Sequence, residues 1–400
     1  MVRYTHAIYV LVALQLFQYA ATESNPDESL TTPELIAKYG YPVETHTVTT
    51  ADGYILTMHR IPDSKKCVTD AVKKVVFLQH GLMCSSADWI ILGPEKSLGY
   101  LLADACYDVW MGNARGNTYS KDHTTYSTTS NEFWDFSWHE MGIYDLPAEI
   151  DYVLAQTGQA KLYYVGHSMG TTMFYVLTSM KPEYNSKIQH MTSLAPVAFM
   201  KHVASPLVQF AANFPGGQLG MEAIELLGVG ELMPSNAFMQ ILADVACSEG
   251  SVLQPMCENI LFLLIGYDPS QLNETILPVI LSHTPAGCST KTVAHYAQEI
   301  SAVEGGFRLW DFYAGNLAEY GSLFPPSYDL AAISTPVSLF YSDNDLFGDP
   351  TDVHELNTAL GNSLGEYRVP LSSFAHMDFL WANDVKTLVN DEVLEAIQNN

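Results

Sequence analysis

Four hundred residues carry 18 Lys and Arg against 44 Asp and Glu, a formal charge of −26, with 48% hydrophobic and only 16% charged residues. A chain this apolar buries a large core, and one this negative is repelled by phosphate backbones and anionic headgroups, which excludes nucleic acid as a partner and electrostatic docking to a membrane. The length fits two or three average domains or one large sheet with an insertion.

The first residues read as a signal peptide over 1–21: Arg3, an apolar run from Ala7 to Phe17, then the small residues Ala20 and Ala21 before Glu23. The run is shorter than the ~20 residues a spanning helix needs, so cleavage is expected between Thr22 and Asn25, leaving a secreted chain without an integral anchor. Six cysteines in that setting permit disulfides, and the sequence does not choose among their pairings. Cys247 and Cys257 are the nearest pair, and a bridge between them would contribute about 2–3 kcal/mol. Asn273-Glu274-Thr275 is the one N-glycosylation sequon.

Thr31 to Arg60 predicts a short helix and a hairpin, with Asp52-Gly53 turning between the alternating runs Val43 to Thr49 and Tyr54 to His59. Strand-like runs then alternate with helical stretches at Val75 to Gln79, Asp108 to Trp110, Leu162 to Val165 and Met191 to Ala195. Short apolar strands separated by helices predict a mostly parallel central sheet covered on both faces, an α/β fold. The rhythm breaks over 200–323, where Leu, Met, Pro and Gly accumulate, and resumes at Val337 to Tyr341 and Glu366 to Val369. A core of 22–199 and 324–400 interrupted by a mainly helical insertion follows, the insertion being too long for a plain loop.

The most specific motif is Gly166-His167-Ser168-Met169-Gly170, between the strand-like run ending at Val165 and the helical stretch Thr171 to Met180. Glycines on both sides allow a sharp strand-to-helix turn that holds a serine hydroxyl clear of the sheet, which makes Ser168 the candidate nucleophile. A serine needs a base, and the base needs an acid to fix its tautomer. In this arrangement both follow the serine, each after a later strand. His376 lies past the last strand-like run, and Asp343, Asp345 and Asp349 compete in the loop after Val337 to Tyr341. His80 precedes Ser168 in the chain and is read as structural. The oxyanion requires two backbone donors, nominated as Met169, after the nucleophile, and Leu82, in the loop after Val75 to Gln79. HExxH, CxxC, a P-loop and a post-strand GxGxxG are all missing, so no metal and no cofactor is expected. Cys84 lacks the context of a thiol nucleophile.

Taken together, Tyr39-Gly40-Tyr41-Pro42, Asp52-Gly53-Tyr54-Ile55-Leu56, His80-Gly81-Leu82 with Trp89, Val109-Trp110-Met111-Gly112-Asn113-Ala114-Arg115-Gly116-Asn117, and Glu132-Phe133-Trp134-Asp135-Phe136-Ser137 with Asp145-Leu146-Pro147-Ala148 make the chain resemble the acid lipase family of gastric and lysosomal lipases and their insect relatives. The resemblance implies an α/β-hydrolase fold with 200–323 as a cap, part of it a mobile lid. It implies a triad of Ser168, Asp345 and His376, oxyanion donors Leu82 and Met169, a cap disulfide Cys247–Cys257 and a glycan at Asn273. Leu226, Leu227, Leu232, Met233, Phe238, Met239 and Ile241 would form the lid's apolar surface or the cap's own core. The implied function is a secreted, or alternatively lysosomal, serine ester hydrolase acting at a lipid–water interface. Triacylglycerol is the first substrate class and sterol esters the second, and a non-catalytic lipid-binding or yolk-type protein is the alternative from another class. One departure stands out: the family's elbow reads GHSQG, and here Met169 replaces the glutamine.

Overall fold

The computed structural model describes residues 25–69, 71–204, 230–231, 268, 270–273, 275–302 and 305–400. The expected signal peptide, Cys247 and Cys257, and the seven apolar positions expected in a lid or cap core lie outside these residues.

Among the described residues nine strands form one sheet. The entrance is antiparallel, as the alternating runs require: β1 (Glu44–Thr49) pairs with β2 (Tyr54–Ile61) in a register from Glu44 opposite Arg60 to Thr49 opposite Ile55. The turn between them uses Gly53 at φ +103°, a conformation that a side chain at this position would strain. The remaining strands are β3 (Val75–Gln79), β4 (Asp108–Met111), the two-residue β5 (Asp122–His123), β6 (Leu162–His167), β7 (Ile188–Leu194), β8 (Val337–Tyr341) and β9 (Ser363–Arg368). Their spatial order is β1-β2-β4-β3-β6-β7-β8-β9, with β5 on β2; every pair from β4 onward along this path is parallel.

Parallel strands in such a sheet are covered twice, and successive residues show it. On β3, Val75 and Phe77 face one core with Tyr164 and Met173, while Val76 and Leu78 face the other with Val165 and Leu194. β1, at the edge, alternates half-buried and exposed residues instead. The covering helices used below are α1 (Thr32–Lys38), α2 (Leu98–Asp104), α3 (Leu146–Thr157), α4 (Met169–Met180), α5 (Leu277–His283), α6 (Thr290–Ser301), α7 (Pro350–Ala359), α8 (Asp378–Trp381) and α9 (Asp391–Asn399). α4 sits in the first core through Met173, Phe174 and Val176, and α9 closes the second with Val393 and Ile397.

Three strands depart from the sequence-based expectation: β5 is absent from it, and two others start early. β7 begins at Ile188, before Met191, and β9 begins at Ser363, before Glu366. β9 ends the sheet and is only half covered, so Ser363-Leu364-Gly365 carries no continuous apolar signal. A disulfide joins Cys67, after β2, to Cys106, ahead of β4, with Cα atoms 5.1 Å apart, while Cys84 and Cys288 are buried free thiols. Among the described residues no helix is long and apolar enough to cross a membrane.

Candidate active site

The parallel strands deliver their C-terminal ends to one edge of the sheet. Ser168 follows β6 directly and takes φ 52°, ψ −117° before α4 begins at Met169. Such a turn brings backbone against backbone, and the flanking glycines are what permit it. A Cβ on Gly170 would lie 2.3 Å from the Gln79 carbonyl oxygen, and one on Gly166 would lie 2.8 Å from Gly170. The turn is held by Ser168 N–H donating to Leu194 O at 3.0 Å, Thr171 Oγ1 donating to Ser168 O at 2.6 Å and Tyr164 O–H donating to Gly170 O at 2.8 Å.

Ser168, His376 and Asp345 meet there. Ser168 Oγ lies 2.8 Å from His376 Nε2, and His376 Nδ1 lies 2.8 Å from both carboxylate oxygens of Asp345. A carboxylate only accepts, so Nδ1 carries the proton and Nε2 accepts from the serine hydroxyl. All three side chains are buried. Burial alone would raise the Asp345 carboxyl, but the His376 ring and the Phe347 and Gly348 amides, each donating at 2.8 Å, hold it below the usual carboxylate range.

The three candidate acids separate clearly in space. Asp343 turns outward into an ion pair with Arg368. Asp349 caps α7 by accepting from Thr351 N–H at 2.7 Å. Only Asp345 reaches the histidine. Asn344 ties the acid loop to the histidine loop by donating to Ser373 O at 2.8 Å.

The loop after β3 packs on the serine turn: a Cβ on Gly81 would lie 3.1 Å from Ser168 Cβ. Leu82 follows Gly81 in this loop, and neither the Leu82 nor the Met169 amide donates to an acceptor among the described residues. His80 supports the loop from below, as its structural reading expects. Its Nδ1–H donates to Gly81 O at 2.8 Å and its Nε2 accepts from Ala114 N–H at 3.0 Å. Burial pushes it down to about 4, which keeps it neutral.

Comparison with known proteins places this geometry. A family model described as a partial α/β-hydrolase lipase region matches residues 32–93, and one for the α/β-hydrolase fold matches 74–223. Lipase 3 of Drosophila melanogaster is 47% identical over 92% of this chain and 92% of its own. The chain belongs to this lipase family. Other members include Lipase lipl-1 of Caenorhabditis elegans, 40% identical over 97% of both chains, and the gastric triacylglycerol lipase of Bos taurus, 41% identical over 93% of this chain and 92% of that one. Among solved structures, DcsB in complex with its substrate analogue superposes with TM-score 0.54 at 12% identity over 90% of this chain and 99% of that one. A bacterial membrane phospholipase A gives 0.52 at 13% over the full length of both. These two likenesses show the α/β-hydrolase fold.

In this family member the Met169 side chain is buried in the first core, and the serine turn is held by Thr171, Tyr164 and Leu194 without it. Several supporting residues carry no catalytic signature in the sequence. His167 Nε2–H donates to the His376 carbonyl at 3.0 Å, joining the serine turn to the histidine loop. Arg115, fully buried, bonds Asp145 at 2.7 Å and Asp52 at 2.6 Å and lies 3.9 Å over the Tyr54 ring. It thereby pins the β1–β2 turn to the molecule. The block from Asn113 to Asn117 was the signal available for this network, because Asn113 and Asn117 hold the loop after β3 through Ser86 N–H and His80.

Proposed function

We propose that the chain is a secreted serine ester hydrolase that cleaves fatty-acyl esters, triacylglycerol first among them, by an acyl-enzyme mechanism. The observation that carries this reading is the hydrogen-bonded line from Ser168 Oγ through the His376 ring to Asp345. Ser168 attacks the ester carbonyl while His376 Nε2 takes its proton. Asp345 holds the ring in the productive tautomer and stabilises the imidazolium. The tetrahedral oxyanion is received by the Leu82 and Met169 amides. His376 then returns the proton to the departing alcohol, and water, activated by the same ring, releases the fatty acid from Ser168.

The gastric triacylglycerol lipases among the relatives support the substrate class. The extracellular space or a lysosomal lumen fits the leader-like start and the Cys67–Cys106 bridge. Residues 200–323 are assigned as a cap. Its described part includes α5 and α6, and Tyr296 of α6 bonds Thr172, one turn into α4 from the nucleophile, at 3.0 Å. Asn273 is assigned as a glycan site; Thr275 N–H and Oγ1 donate to its side-chain oxygen.

An alkyl phosphonate ester, which mimics the tetrahedral state, tests the reading. It is expected to add one phosphonyl group to Ser168 and abolish ester turnover, with the label absent from Ser168→Ala. Labelling elsewhere, or full turnover after labelling, would overturn it.

A further inference from the structure

The loop after β3 continues through Met83, at φ 58°, into one turn of 3₁₀ helix, Ser86–Trp89. Asp88 lies in that turn, almost fully buried, and three donors from three parts of the chain converge on its carboxylate. Ser85 N–H reaches Oδ2 at 2.9 Å from the loop itself. Trp381 Nε1–H reaches Oδ1 at 3.0 Å from α8, the helix that begins two residues after His376. Thr284 Oγ1 reaches Oδ1 at 3.3 Å from the end of α5, and two residues later Ala286 N–H donates to Met83 O at 2.6 Å.

We propose that Asp88 is a positioning residue for the oxyanion loop: in its ionised form it clamps that loop to the segment carrying His376 and to the chain at Thr284. The proposal rests on the assignment of Ser168, His376 and Leu82 above. Each carboxylate oxygen receives an N–H that cannot itself accept, from Ser85 on Oδ2 and from Trp381 on Oδ1. An amide nitrogen in either place faces one of these N–H groups and opens that tie, and a neutral carboxylic acid weakens the tie on the oxygen that carries its proton. The Leu82 amide then loses its fixed place opposite Met169, which a preorganised donor pair cannot tolerate without loss of rate.

Titration of this one group should therefore be visible. Burial pushes Asp88 up to about 6, with the Ser85 amide and the Trp381 indole opposing. Of the titratable groups around it, only Asp378 changes charge in the same pH range, and it does so in wild type and variant alike. Burial pushes Cys84 well above its usual range, holds His59 and His80 at about 4, and lowers His283 on α5. Asp378 on α8, pushed up to about 7 by burial, turns its carboxyl to Ala375 N–H at 2.7 Å. Among the described residues the hydrogen-bond donors to Asp88 are all neutral groups.

Wild type, Asp88→Asn, Trp381→Phe and Ser168→Ala are compared on a dissolved short-acyl ester from pH 5 to 8. The asparagine variant is expected to lose about tenfold in kcat at pH 8 with KM within about twofold, in line with the weakening of charge-assisted hydrogen bonds. The gap should close to within about twofold at pH 5, where the wild-type side chain is itself neutral. Taking the ratio cancels every pH effect common to both enzymes. Trp381→Phe, which removes one donor and keeps the carboxylate, is expected to lower kcat at pH 8 in the same direction and decides the matter if the asparagine variant does not fold. A ratio constant across pH, or an unchanged kcat at pH 8 in both variants, would overturn the positioning role. Turnover that survives Ser168→Ala would instead remove the site assignment, and the proposal with it.

Discussion

Ser168 holds a backbone conformation that costs an L-residue about 1–3 kcal/mol, and the glycines around it exist to allow that cost. Gly170 is the most exacting of them, since a methyl group there meets the Gln79 carbonyl at 2.3 Å. Gly170→Ala is therefore expected to destabilise the fold by at least 2 to 3 kcal/mol, an order-of-magnitude figure for a strained backbone site, and to cut turnover by more than the stability loss explains. Urea unfolding beside kcat separates the two effects. The acid can be tested by contrast within one loop. Asp345→Asn should lower kcat by about 10⁴ through the wrong histidine tautomer. Asp343→Asn, which loses only an exposed pair with Arg368, should stay within about twofold. Equal effects of the two substitutions would contradict the assignment of Asp345.

At the scale of elements, strands buried on both faces announced themselves as short apolar runs, and β3 and β8 begin and end where the runs do. Edge strands announced themselves only where a polar face alternated, as in β1, so the first residues of β9 and the two-residue β5 were not legible. The serine turn was legible because its glycines are forced by close backbone contact. The choice of Asp345 over Asp343 and Asp349 was not legible from spacing, because all three stand in one loop and only side-chain direction separates them; the family resemblance pointed to Asp345 before the geometry did. Asp88 carries no motif and His167 stands in one that does not announce its bond to the His376 carbonyl, since these contacts join segments far apart in the chain. The Cys67–Cys106 bridge was equally hidden among the possible pairings. It spans 39 residues, for which loop closure gives about 4 kcal/mol in the chain-entropy model. Replacing both cysteines by serine should lower unfolding free energy by about 2–4 kcal/mol and leave kcat at low temperature near its wild-type value, because the bridge is remote in sequence from every triad residue. A matching loss of kcat would mean that the bridge also shapes the site.

For the whole molecule, buried titratable groups pull stability in two directions with pH. Burial holds His59, His80 and His190 at about 4 and His167 at about 3. The unfolded chain protonates these rings below about 6.5 while the folded chain does not, so stability falls as pH drops from there. Burial raises Glu149 and Glu299 well above the carboxylate range and Asp378 to about 7. These groups bind protons more tightly when folded, so the stability they contribute is complete below about pH 4 and drains as pH rises through their folded values. The formal charge of −26 adds self-repulsion on the alkaline side. Tm is therefore expected to peak between about pH 6 and 7 and to fall by several degrees towards both pH 4 and pH 9. A Tm still rising at pH 4 would mean that the histidines charge freely in the fold, and one flat above pH 7 would mean the same of the buried glutamates.

The most direct test of the central claim is fatty-acid release from an emulsified long-chain triacylglycerol by the wild-type protein and by Ser168→Ala. The account predicts steady release by the wild type and a rate at least about 10³-fold lower for the variant, at an unchanged or higher Tm. Undiminished release by Ser168→Ala would contradict the assignment of the nucleophile, and no release by the folded wild type would contradict the proposed lipase activity.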